Sequence, residues 1–216
     1  MRLPFSADQF FDVFRQYNQA IWPVQIMLTA LAILCVILVI QPRSWSGVFI
    51  SAVMAFLWAW LAFAYHVLFF AYINPLAYGF AAFSAVGAGV FLWFGVVQRT
   101  MRFSLQRSGR TVVGMALVVY ALGVYPILSI VTGHRYPGMP TFGLPCPTTI
   151  FTIGMLTLVN PPLSRWVLIV PVLWCAVGVQ AAFLLGVPQD LALGGAASVG
   201  LWVMFGGSNE SRTRKL

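Results

Sequence analysis

A chain of 216 residues that is 61% hydrophobic and only 7% charged is too apolar for a soluble domain of its size, which predicts an integral membrane protein. The net charge of +8 comes from twelve basic and four acidic residues; in a bilayer protein it marks topology and excludes nucleic acid as the expected partner. Cys35, Cys146 and Cys175 fall at different expected depths, which excludes a disulfide framework.

Ser6-Ala-Asp-Gln9 is a capping-box pattern, with Asp8 and Asp12 near the positive end of the helix that follows. Phe10, Phe14, Tyr17 and Ile21 recur at helical spacing, so residues 1–18 are read as an interfacial amphipathic segment, helical over 7–18, or as the frayed start of the first span. No short apolar run ends in a small-residue cleavage site, so no removable signal peptide is expected. A single transmembrane domain, 19–206, contains seven apolar stretches near 19–40, 46–71, 76–98, 111–132, 141–160, 165–186 and 188–206, with a cytoplasmic tail at 207–216. The expected fold class is therefore an all-α bundle of about seven spans, with sequential helices packed antiparallel.

Charge sets the orientation. Arg43, Arg99, Arg102, Arg107, Arg110, Arg165, Arg212, Arg214 and Lys215 fall on one side, and Arg2, Arg15 and Arg135 on the other with Asp8, Asp12 and Asp190. The positive-inside rule makes the first side cytoplasmic, giving N-out and C-in. The basic loop Gln98–Arg110 reads as a topology anchor, with contact to anionic headgroups as the alternative. Gly87, Gly89, Gly194, Gly195, Ala196 and Gly200 suit close helix contacts. Asn74-Pro75 and Asn160-Pro161 open the third and sixth spans, a faint echo of an inverted repeat.

The fifth span is unusual. Thr141–Thr152 reads Thr-Phe-Gly-Leu-Pro-Cys-Pro-Thr-Thr-Ile-Phe-Thr. Pro145 and Pro147 lack N–H groups and bias Leu144 and Cys146 away from the α region, so the chain is expected to be extended up to Cys146 and helical from Pro147. Such a helix, ending near Asn160, rises only ~21 Å against a hydrocarbon core of ~30 Å. The span is broken, and irregular backbone at membrane depth must face protein or a water-filled cavity.

Most polar side chains with chemical range are expected near that break, on the outer side. The candidate substrate-binding residues are Tyr17, Asn18, His66, Asn74, Tyr125, Cys146, Thr148, Thr149 and Asp190. Bland roles compete: aromatic-belt anchoring for the tyrosines, backbone satisfaction for Asn18 and Asn74, and helix capping or bonds to helix carbonyls for Thr148 and Thr149. His66 lies within a span, where an ionisable residue is a site hypothesis by default. A thiol on the first turn of a helix faces free N–H groups, which favours thiolate. Cys146, His66 and His134 are thus candidates for a soft metal ion, or Cys146 for a thiol–histidine nucleophile oriented by Asp190. No cofactor is otherwise expected. The only lysine is Lys215, which excludes a retinal Schiff base in a seventh span, and no Gly-rich phosphate loop or GxSxG motif occurs.

Over nearly its whole length the sequence resembles an uncharacterised family of bacterial multi-pass membrane proteins, a domain of unknown function. The resemblance is carried by Phe10-Phe11 through Tyr17-Asn18 to Trp22-Pro23, by Tyr65-His66 through Phe69-Phe70 to Ile73-Asn74-Pro75, and by Tyr125-Pro126. It continues in Gly133-His134-Arg135-Tyr136-Pro137, Phe142–Thr152 and Leu185-Gly-Val-Pro-Gln-Asp190. It implies a helical fold in a bacterial inner membrane and no activity. The leading expectation is a polar pocket open to the outer face that binds or transports a small solute or ion. Alternatives are a non-catalytic accessory or sensor subunit, alone or as a homo-oligomer, that binds a membrane partner, and a membrane-embedded thiol or metal enzyme.

Overall fold

The computed structural model describes the backbone of residues 4–213 and the side chains of residues 4–206. Regular structure among the described residues is helical. The Ser6 hydroxyl accepts from the Gln9 amide and the Gln9 side chain accepts from the Ser6 amide, starting α1 (Ala7–Ala20) as the capping pattern predicts. The chain then turns by 87° into α2 (Val24–Ile40), so the first helix runs crosswise to the second rather than extending it.

After α2 come α3 (Ser46–Trp60), continued by a π-helical stretch Leu61–Val67, and α4 (Ala77–Phe91), continued by another over Leu92–Val97. A third π stretch, Tyr120–Val124, joins α5 (Gly109–Val119) to α6 (Tyr125–Val131). The remaining helices are α7 (Pro145–Thr157), α8 (Trp166–Leu184) and α9 (Ala192–Thr213), the last preceded by a 3-10 turn Pro188–Leu191.

Four helical segments are long and apolar enough to cross a membrane: Ser46–Tyr72, Ala77–Val97, Gly109–Val131 and Trp166–Leu184. The bent α1–α2 pair makes up to five. The outward-facing residues of these segments include Phe63, Val112, Val119 and Leu173, as an apolar solvent requires.

The stretch expected as a fifth span is different in kind. Its helix begins at Pro145, two residues earlier than expected, because a proline at the first helical position loses only an N–H that would be unpaired there. It ends after 13 residues, a rise of ~20 Å, and every side chain from Pro147 to Thr157 is buried. The helices α5, α8 and α9 pack on it, and Trp58 of α3 donates its indole N–H to Thr152 Oγ1 at 3.1 Å. So α7 is an inner helix of the bundle, walled in chiefly by α5, α8 and α9. Its contact with α5 is backbone on backbone: a Cβ on Gly154 would stand 2.9 Å from the Gly114 carbonyl oxygen, and the converse holds.

Candidate functional site

The start of α7 meets the Pro188–Leu191 turn in a group of buried polar side chains. Asp190 is 1% exposed, and its carboxylate accepts a 2.5 Å hydrogen bond from the hydroxyl of Tyr125, also 1% exposed. The thiol of Cys146 lies beside the same carboxylate. No cation joins them; the one ion pair among the described residues is the exposed Arg15–Asp12 contact at 3.4 Å. A buried carboxyl whose hydrogen-bond donor is a neutral hydroxyl, with no counter-charge, is costly to leave so.

Two π-helical stretches aim residues at this region. A π turn packs more residues per turn and so re-registers the side chains beyond it, a device frequent at functional sites. Tyr120–Val124 ends at Tyr125, and Leu61–Val67 holds Tyr65 and His66. Tyr65 is 2% exposed, and its ring stands edge-on to that of Tyr17 with centroids 5.6 Å apart. His66 is 1% exposed, and neither ring nitrogen has a hydrogen-bond partner. Its ring stands 5.2 Å from those of Tyr65 and Trp174 and 5.8 Å from Phe80, an aromatic box around an unpaired imidazole.

Gly178 of α8 joins the two groups. The Cys146 sulfur and the Trp174 indole nitrogen each lie 3.5 Å from the position a Gly178 Cβ would take, so both face one point. The Trp174 N–H is buried without a partner, as are the hydroxyls of Thr148 and Thr149. Each such orphan costs about 1–3 kcal/mol in a folded chain. Cys146 itself retains accessible surface among these enclosed groups.

Other residues expected at a site serve elsewhere. Asn18 has no polar atom to spare: its amide donates to the carbonyls of Pro137 (2.6 Å) and Met139 (2.8 Å), and its Oδ1 accepts from Thr141 at 2.7 Å. It pins the α6–α7 loop. Tyr17 accepts from Trp60 Nε1 at 2.8 Å and donates to the Gly143 carbonyl at 3.2 Å. Gly143 has φ of +97°, and a Cβ there would strike Leu28, so glycine is required at that turn. Asn74 caps its own turn through the Leu76 amide. The helix-carbonyl role expected of Thr148 and Thr149 falls to Thr152 and Thr157 instead.

The expected metal set does not assemble. No group of three or more His, Cys, Asp or Glu side chains gathers among the described residues. His134 stacks on Phe11 of α1 with centroids 4.2 Å apart and lies 3.3 Å from Thr132 Oγ1, and its partial burial lowers its pKa. The Asp190 carboxylate meets Tyr125 and Cys146 and hydrogen-bonds neither histidine, so the thiol–histidine–carboxylate relay is not formed.

Sequence reasoning missed Tyr65, Trp174 and Gly178 as members of the group, and Ser129, whose hydroxyl accepts from Gln189 Nε2 at 3.0 Å. A tryptophan in an apolar run carries no mark that its N–H will be enclosed.

A family pattern described as a family of unknown function matches residues 7–215. The chain belongs to that family, DUF6064. Neither the curated proteins nor the solved structures gave a match. Membership extends over α1 as well as the apolar helices, so the crosswise first helix and the Asn18-pinned loop lie within the family's span.

Proposed function

We propose that this chain is a multi-pass membrane protein of a bacterial inner membrane, with seven apolar stretches in an N-out, C-in arrangement, that binds or carries a small cationic solute or ion. The binding place is the group of buried side chains Asp190, Cys146, Tyr65, His66 and Trp174. The observation that carries this reading is the Asp190 carboxyl, enclosed with the Tyr125 hydroxyl as its hydrogen-bond donor and no counter-cation among the described residues. An intramembrane ionisable group without a counter-charge is by default the mark of an ion or substrate path. The rings of Tyr65, Trp174 and Phe80 around His66 are of the kind that attract a desolvated ammonium group.

The test is thermal unfolding in detergent with sodium, methylammonium and choline chlorides. A cation at ~100 times its Kd stabilises the folded state by about 2.7 kcal/mol, worth roughly 5–10 °C for a chain of this size. Asp190→Asn removes the counter-ion while keeping the shape, so it should unfold no earlier than the parent and lose the cation-dependent rise. A parent protein indifferent to all three cations, or an Asp190→Asn variant that responds equally, sinks the proposal. Co-purification of a second membrane protein in stoichiometric amount would then favour the accessory-subunit reading.

A further inference from the structure

The other end of α7 carries a second site that the solute reading does not use. The segment from Gln98 to Ser108, between α4 and α5, is fastened rather than loose. Met101 and Phe103 are 2% and 3% exposed, and Phe103 pairs with Val159 just past α7. The Asn160 amide donates to the Arg102 carbonyl at 2.7 Å, and Asn160 Oδ1 accepts from Ser104 Oγ at 2.8 Å and Gln106 Nε2 at 2.9 Å. One asparagine thus locks two loops together.

Between those loops lies a cleft of about 630 Å³, whose lining includes Gln98, Arg99, Thr100 and Arg102 opposite Asn160 and Ser164. No carboxylate lines it, and neither Arg99 nor Arg102 is in an ion pair among the described residues. Arg99 has φ of 54° just after the π stretch that ends α4, a left-handed position where glycine is the low-cost residue. An adjoining recess of about 70 Å³ shares Asn160 and Pro161 and holds Arg110, whose Nε and Nη2 are enclosed without a partner. A partly enclosed guanidinium without an acceptor is costly unless an anion comes to it. A topology anchor needs only positive charge on one side of the bilayer. It needs neither a walled cleft nor an arginine in a left-handed turn.

We propose that this cleft binds a phosphate-bearing anion, with Arg99 and Arg102 as its ligands and Arg110 flanking. Guanidinium groups meet phosphate oxygens in paired hydrogen bonds, and the hydroxyls of Thr100 and Ser164 can add to them. The phosphate can belong to an anionic lipid headgroup or to a soluble phosphate ester.

The experiment measures retention of phosphatidylglycerol against phosphatidylcholine by native mass spectrometry of the detergent-purified chain, and melting with added glycerol phosphate. Three proteins are compared: the parent, the Arg99→Gln/Arg102→Gln double variant, and Arg107→Gln, which alters an exposed arginine outside the cleft. The double variant should retain the phosphate ligand roughly 25-fold less well, about fivefold per arginine, while Arg107→Gln matches the parent. A rise in melting with glycerol phosphate alone assigns the soluble source; retention of phosphatidylglycerol without that rise assigns the lipid. Equal loss in all arginine variants, or a parent that neither prefers phosphatidylglycerol nor melts later with glycerol phosphate, overturns the site and leaves plain surface charge. Melting of the double variant in phosphatidylcholine checks its fold. If it unfolds, the salt dependence of phosphatidylglycerol retention by the parent decides: retention unaffected by salt removes the arginines from the site.

Discussion

The two ends of α7 handle polar groups in opposite ways. At the Asn160 end, side-chain donors and acceptors are largely spent on joining loops, and what remains unpaired is arginine charge, Arg99 and Arg102 at the cleft and Arg110 partly enclosed beside it. At the Cys146 end the groups are enclosed, and His66, Trp174, Thr148 and Thr149 go without partners. A protein selected only for stability would fill such a place with apolar side chains, since each orphan donor costs free energy that no contact within the chain returns. The contrast teaches where to look for a ligand: at one end for something that satisfies hidden donors, at the other for something that neutralises walled arginines.

The threonines of α7 test this most strongly. Thr149→Val removes an enclosed hydroxyl that bonds nothing and should raise stability by about 1–3 kcal/mol. Thr152→Val lies one turn on, where the hydroxyl donates to the Thr148 carbonyl and accepts from Trp58, and should lower stability by a similar ~1–3 kcal/mol. Detergent melting curves of the two variants should move in opposite directions; parallel movement would mean that Thr149 is already satisfied.

A smaller change is expected at the other end. Asn160→Ala removes acceptors for Ser104 and Gln106, at roughly 1 kcal/mol per bond. It should also speed proteolysis within 98–108, measurable by limited digestion, while leaving any cation response unchanged.

The smallest effect is a pH dependence at His134, outside the spans. Burial disfavours its charged form, so its folded pKa lies below the unfolded value near 6.5. The unfolded chain therefore binds the proton more readily, and the contribution is fully present above pH ~6.5 and is lost as the pH falls below it. His134→Phe, which keeps the stack on Phe11, should flatten that dependence; an unchanged profile between pH 7 and pH 5 would exclude it.

Much of the architecture was legible in the sequence because it follows from local rules. The apolar runs, the Ser6–Gln9 cap and the proline-bracketed cysteine each announce what the backbone can do nearby. The composition of the site was legible only in part. Asp190, Tyr125, Cys146 and His66 were marked by being ionisable or hydroxylated in apolar surroundings. Their pairings were not, since Tyr125 reaches Asp190 across 65 residues and only the folded chain brings them together. Asn18 looked like a site residue for the same reason and proved to be fastened to a loop 119 to 123 residues away. The two Asn-Pro pairs show the limit of short echoes: Asn74 caps its own turn and Asn160 clamps a distant one.

The two prolines that open α7 have an energetic consequence for where the helix can start. An ordinary first turn points three or four bare amide hydrogens at its surroundings and needs water or a capping side chain. Here Pro145 and Pro147 have none to offer, leaving the Cys146 amide as the single bare one before Thr148 closes onto the Leu144 carbonyl at 3.2 Å. The terminus is insulated by its own covalent structure. A helix can therefore begin among buried side chains without a capping group being brought to it.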